Sequence, residues 1–290
     1  MDTALQLKIE VDNKRLSDPH LAQSYLQQSR LFNQLLTEIE PSPMNLLWRL
    51  TQLAEIPYAG SHPKVKRWLQ QLVAATYTGD GFSLNGSNDY MLACYNGMIT
   101  RLLIKLNEVD ATKIDSGIQW ILKYQQVARG RHCTWEGSAI QKYGGCMKQV
   151  PCYMGLVKSM VALSDYKQRM GYKTDNHLET MLEQGLEYIL NHKVYLKLSN
   201  HQPITKDITK ITFPFTWKTN VIEILRLLKA NHLLSDSRCQ SAKGFLLSKR
   251  KKDGYWRSQS VYILKNKTWI PFDPIGQPGH WISHEIARLV

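Results

Sequence analysis

Apolar residues recur along most of this chain at intervals of three and four, the spacing that lines one face of an α-helix. Met98, Ile99, Leu102, Leu103 and Leu106 follow it, as do Ile114, Ile118, Ile121 and Leu122 beyond the polar link "EVDATK". A link that short suits two antiparallel helices. The outline returns upstream in "LLWRLTQLAEIPYAGSHPKVKRWLQQLV". It returns downstream in "CYMGLVKSMVAL" followed by "HLETMLEQGLEYILNHK", and again in "NVIEILRLLKANHLLSDSRCQSAKGFLLSKR". A further first helix, "HWISHEIARLV", ends the sequence.

Two of these helices open almost identically, "CYNGMITRLLIKL" at residue 94 and "CYMGLVKSMVAL" at residue 152, an offset of 58 residues. Trp217 and Trp281 are offset by 64. Periods well above 20 residues mark stacked supersecondary units. Within each pair the first helix is apolar nearly all round, and the second has a narrower stripe with charges elsewhere. A helix apolar on most faces must be surrounded, whereas an amphipathic one can face water. Pairs of this kind form an open solenoid or a closed ring of inner and outer helices. The expectation is an all-α fold, an α/α toroid. Residues 1–43 read as a helical lead-in, with Ser17 or Asp18 capping a helix that begins at Pro19. Residues 44–290 read as one repeat domain, since no Gly-, Pro- or Ser-rich boundary divides them.

The composition narrows the setting. Of 290 residues, 43% are hydrophobic and eight are Trp, enough for a sizeable core, which excludes a disordered chain. The net charge of +13 favours anionic partners. Five cysteines without the spacing of small secreted domains read as reduced thiols, hence a cytoplasmic protein. No signal peptide is expected, and no apolar run reaches the 18 residues of a membrane span. Peripheral membrane contact stays open.

Two stretches after outer-type helices, "QVARGRH" from Gln126 and "RKKDGYW" from Arg250, match the outline Q-x3-G-x-W. The first has His132 where the outline has Trp, and the second has Arg250 where it has Gln. With the helix-pair period, this resembles the α/α toroid of squalene and hopene cyclases and of protein prenyltransferase β subunits. The closer likeness is to bacterial and archaeal squalene-cyclase-like proteins with prenyltransferase/squalene-oxidase-type repeats. It is carried by "GRHC…GGCMKQVPCYMGLVKSMVAL", by "FPFTWKTNVIEILRLL" with "LLSKRKKDGYW", and by "GHWISHEIARLV". It implies an apolar, isoprenoid-type ligand in a central cavity.

The chemistry such folds host is only partly present. No D-x-D-D occurs; Asp80, Asp175 and Asp273 are isolated. Protein prenyltransferases hold zinc by Asp, Cys and His, and the metal-held thiolate is the nucleophile. Cys152 and Tyr153 resemble that family's Cys-Tyr, but its Asp is Val150 here and the next inner helix opens at Trp217 instead of His. Cys152, Cys146 and His284 are therefore the catalytic candidates. A separate zinc set would be Cys133, Cys146 and Cys152, with His280 or His132 as fourth ligand. The bland reading of these thiols is burial where helices meet. Gly97 and Gly155 read as allowing close helix approach.

The irregular segments 200–217 and 266–281 precede inner helices and carry Phe213, Phe215, Trp217, Trp269, Phe272 and Trp281. With Tyr153 and Asn220 they would line an apolar pocket; packing is the rival reading for each. The most basic run, Lys249 to Lys252, is a solvated helix end or a partner-binding face. Nucleic acid is disfavoured, because the nearby Trp256 is the repeat-motif Trp. Three functions thus remain: an apolar-ligand protein, a scaffold with a basic outer face, and a zinc-thiolate enzyme.

Overall fold

The computed structural model describes residues 1–16, 18–107, 110–130, 133–139, 152–171, 175–259 and 269–290. Twelve α-helices are defined among the described residues. The N-terminal three are α1 (Thr3–Asp12), α2 (Pro19–Gln28) and α3 (Arg30–Leu35). Then come four pairs: α4 (Pro43–Leu53) with α5 (Pro63–Thr76), α6 (Ala93–Lys105) with α7 (Ala111–Tyr124), α8 (Tyr153–Met170) with α9 (Asn176–Asn191), and α10 (Val221–Ala230) with α11 (Gln240–Ser248). Helix α12 (His280–Ala287) is the last. Strands β1 (Trp256–Arg257) and β2 (Pro278–Gly279) form one antiparallel pair. The all-α reading holds. No described helix is long and apolar enough to cross a membrane.

Helix starts are set by side chains that satisfy the otherwise unpaired first N–H groups. Asp18 accepts from His20 N at 2.8 Å with Pro19 in the first turn, as expected; Ser17 lies outside the described residues. Asp175 caps α9 and Asn220 caps α10 in the same way.

The two members of each pair differ as their sequence patterns require. In α6, 11 of 13 residues are buried, against 6 of 14 in α7; in α10, 7 of 10, against 2 of 9 in α11. The first helix of a pair is enclosed and the second faces water.

Contacts between enclosed helices also fix their direction. A Cβ on Gly155 of α8 would stand 3.1 Å from Ala93 of α6, and one on Gly97 of α6 would stand 2.8 Å from the Lys158 backbone. Further along, Arg101 meets Asp165. The partners advance together, so α6 and α8 run parallel. Lys158 with Glu223 and Ser164 with Asn231 relate α8 to α10 in the same sense. Arg226 with Glu285 and Lys229 with the Arg288 carbonyl relate α10 to α12. Parallel enclosed helices separated by an antiparallel outer helix are what a tandem repeat of helix pairs produces. The two C-Y-x-G openings face each other because they occupy one repeat position, and their glycines permit the close approach. Helix α1 is tied to α12 by Lys8–Glu285 at 3.3 Å and Asp12–Arg288 at 2.5 Å.

The outline after α11 acts as a turn. Gly254 has φ 84°, a left-handed value that favours glycine, and Gly130 in the matching stretch has φ 79°. Arg250 takes the place of Gln by donating from Nε to the Gly254 carbonyl at 2.9 Å while lying over Trp256. Trp256 is buried and donates to the Leu246 carbonyl at 2.7 Å, which confirms its packing role and removes it as a stacking surface.

Candidate functional site

The enclosed helices carry charged residues amid their apolar runs, and folding brings several of them together. Glu55, just after α4 and wholly buried, accepts from Arg101 Nη2 of α6 at 3.1 Å and from Arg226 Nη1 of α10 at 2.6 Å. Arg101 Nε also reaches Asp165 of α8 at 3.0 Å. Lys158 of α8 donates to both carboxylate oxygens of Glu223 of α10, at 2.6 and 2.7 Å. Glu285 of α12 lies 3.3 Å from Lys8 of α1 and 3.6 Å from Arg226.

These charges set one another's protonation. Burial alone would raise the Glu55 carboxyl, but the charges of Arg226 and Arg101 outweigh it and hold Glu55 well below the usual carboxylate range. The same reversal holds at Asp12: burial opposes ionisation, and His284, Lys8 and Arg288 overcome it. Each of these network charges thus has an opposite partner, and removing one partner of such a buried pair costs about 3–5 kcal/mol; the buried Arg49 instead donates to the Leu35 and Thr37 carbonyls.

The described space between the enclosed helices is lined by charged as well as apolar side chains. Among the described residues, two cavities bordered by enclosed-helix side chains measure about 120 Å³ and about 10 Å³. Pockets that enclose organic ligands run to about 300–1,000 Å³. The smaller cavity lies among Thr51, Gly97, Lys158, Phe215 and Glu223, so ion pairs and close helix packing occupy the space. A wider groove of about 830 Å³ runs between the outer helices α7 and α9, open to solvent and lined by Lys123, His177 and Glu187 among others.

The residues expected to line the chamber are otherwise engaged. Phe213 packs against Phe215, Phe272 and Trp281 at ring-centre distances of 5.4, 5.6 and 6.1 Å, and all four are core residues. Trp217 lies in the loop before α10, not at its opening, with the Lys218 ammonium over its ring. Asn220 is saturated: its oxygen accepts from Glu223 N at 3.0 Å and its amide donates to the Thr212 carbonyl at 2.9 Å. Tyr153 is buried and donates to the Val194 carbonyl at 2.5 Å. Asp273 accepts from Trp281 N and Ile282 N, at 3.0 and 2.8 Å, and so caps α12. For these positions packing and capping are the observed roles.

Among the described residues, no cysteine belongs to a metal-ligating cluster with histidine. Cys146 and His132 lie outside the described residues. Cys133 joins Leu92, Cys94, Ala139 and Trp135 in a small apolar cluster, and Cys152 begins α8. All four described cysteines are thiols. Burial pushes the Cys94 thiol up to about 12, and it raises Cys133 as well, so both are protonated and poor nucleophiles at neutral pH. His280 packs edge-on against Tyr255, 5.2 Å between ring centres, and His284 Nε2 is 2.8 Å from Asp12 Oδ2.

Among the described residues, the one trio of metal-ligating types within 4.8 Å of one another is Asp12, His284 and Glu285. It does not suit a metal. Lys8 and Arg288 already sit on Asp12 at 3.0 and 2.5 Å, and two fixed cations disfavour a third. The trio ties α1 to α12.

The basic run survives as an exposed feature. Lys249, Arg250, Lys251 and Lys252 are all exposed, and none forms an ion pair among the described residues. Leu247 and Tyr255 beside them are exposed too, at 49% and 37%. Comparison with family models, with curated proteins and with solved structures finds no match to this chain.

Proposed function

We propose that the chain is a helical-repeat binding protein, its helix pairs closed into an α/α toroid, which recruits an acidic protein partner through the basic turn that follows α11. The ring reading is supported by the parallel register from α6 through α12 and by the ion pairs from α12 to α1. The observation that carries the binding reading is the basic turn itself. Four successive cations stand exposed without carboxylate partners among the described residues, flanked by exposed Leu247 and Tyr255. Charge beside apolar side chains suits a protein surface, which offers carboxylates and apolar groups together. A nucleic acid would instead want several stacking aromatics, and of the two in this turn Tyr255 is exposed but Trp256 is buried.

An isoprenoid-type ligand would require the interior ion pairs to part, and a zinc-thiolate centre would require His280 to leave Tyr255 and join the cysteines. Neither has a described geometry in its favour.

The test is chemical cross-linking of the protein in cells of its source, with the cross-linked peptides mapped by mass spectrometry. Cross-links to acidic proteins should centre on Lys249, Lys251 and Lys252. Their replacement by Ser, leaving Arg250 in place on Trp256, should remove those partners. Retention of the same partners by the triple variant would sink the proposal.

A further inference from the structure

Between the C-terminal halves of α6, α8 and α10 lies the cavity of about 120 Å³, bordered by Arg101, Lys105, Ser164, Asp165, Phe215 and Arg226. Its cations are not equivalent. Arg101 and Arg226 spend part of their hydrogen-bonding capacity on Glu55 and Asp165. Arg101 Nη1 and Arg226 Nε and Nη2 make no bond among the described residues, and neither does Lys105 Nζ. Lys105 is exposed at the mouth, one helical turn beyond Arg101. Phe215 closes one wall, with the Arg226 guanidinium 5.7 Å from its ring centre.

Ion pairing therefore leaves this cavity with unspent donors on three cations and a volume suited to one compact group. We infer that it is a binding site for a small oxyanion, a phosphate or carboxylate group, held between Lys105, Arg101 and Arg226. Guanidinium and ammonium donors in a partly dry site make the strong, charge-assisted hydrogen bonds that oxyanions take. The state of Lys105 agrees. Asp165 favours its ammonium, but desolvation and the positive charges of Arg101 and Arg226 prevail and lower it below the ordinary lysine range. An anion would relieve that repulsion. Asp165 and Glu223, on the same walls, limit the site to a small charge.

The probe is inorganic phosphate, with acetate in a parallel arm, titrated into the full chain by calorimetry at low ionic strength. Saturable one-site binding is expected. Lys105→Gln should weaken it about tenfold or more, as loss of one charged hydrogen bond does, and Lys105→Arg should restore it. The tighter of the two anions identifies the headgroup. Because Lys105 is exposed at a helix end, both variants should keep the wild-type melting temperature. Absence of saturable binding by either anion would overturn the inference. So would equal affinity in Lys105→Gln, or loss of binding when Lys249, Lys251 and Lys252 are replaced instead.

Discussion

The protein holds its cations in two ways. In the interior, Lys8, Arg101, Lys158 and Arg226 each face a carboxylate from a different helix. At the turn after α11, Lys249 to Lys252 face solvent with no acidic partner among the described residues. The interior set is matched because burial leaves no alternative: an unpaired buried charge costs several kcal/mol, while an exposed lysine is hydrated at no such penalty. A high net positive charge is therefore not one signal. Part of it is internal fastening between repeats, and only the unmatched remainder is offered to partners.

That contrast predicts its own largest effect. Glu55→Gln keeps shape and volume but leaves Arg101 and Arg226 without the carboxylate they share. Stability to urea should fall by about 3–5 kcal/mol. The exposed counterpart, Glu187→Gln beside Arg238, should change it by less than about 1 kcal/mol. Equal losses at the two positions would show that water reaches the interior network.

Acid should act next, and in one direction. Glu55 and Asp12 are held below the ordinary carboxylate range in the folded protein. The unfolded chain therefore takes up protons first as pH falls. Their stabilising contribution is complete above the unfolded values, near pH 4 to 4.5, and is lost progressively below them. Urea midpoints measured from pH 7 down to pH 3 should drop steeply below about pH 4.5, and the Glu55→Gln variant should show a shallower drop. A midpoint independent of pH across that range would contradict the network's role.

The repeated C-Y-x-G opening gives a smaller effect. A Cβ at Gly97 would meet the Lys158 carbonyl group at 2.8 Å, backbone that can move only by shifting α8. Gly97→Ala should destabilise by about 1–3 kcal/mol despite alanine's better helix propensity. At Gly155 the nearest atom is the Ala93 Cβ at 3.1 Å, a contact that a shift of a few tenths of an ångström relieves. Gly155→Ala should be milder. Reversed ranking in thermal melts would show that α6 and α8 do not meet at these residues.

The sequence made the pairs legible because a 3.6-residue period and a repeated opening are local signals. It also identified which helix of each pair is enclosed. The content of the interior was harder to read. Arg101 in "MITRLLIKL", Lys158 in "GLVKSMVAL", Glu223 and Arg226 in "NVIEILRLL" and Glu285 in "HWISHEIARL" were visible as charges at enclosed positions. Charges within each greasy helix, recurring at about the repeat period, are the signal that points to a paired centre. Which charge meets which depends on register between distant parts of the chain, 171 residues apart for Arg226 and Glu55, and no local pattern encodes that. Aromatics before enclosed helices suggested a pocket for a similar reason: a lining residue and a packing residue have the same composition, and only the neighbours distinguish Phe213 as core.

The smallest expected effect tests the other half of the contrast. Lys249, Lys251 and Lys252 make no ion pair among the described residues, so Ser at all three should leave urea stability within about 0.5 kcal/mol. Among the described residues, the Lys249 ammonium over the Phe245 ring, at 5.2 Å, is a local use for one of them. A loss of several kcal/mol would mean that this turn is fastened to the fold as the interior is, and its charges would then be unavailable to a partner. Unchanged stability together with lost cross-links assigns them to recognition, because the same substitution would then separate binding from folding.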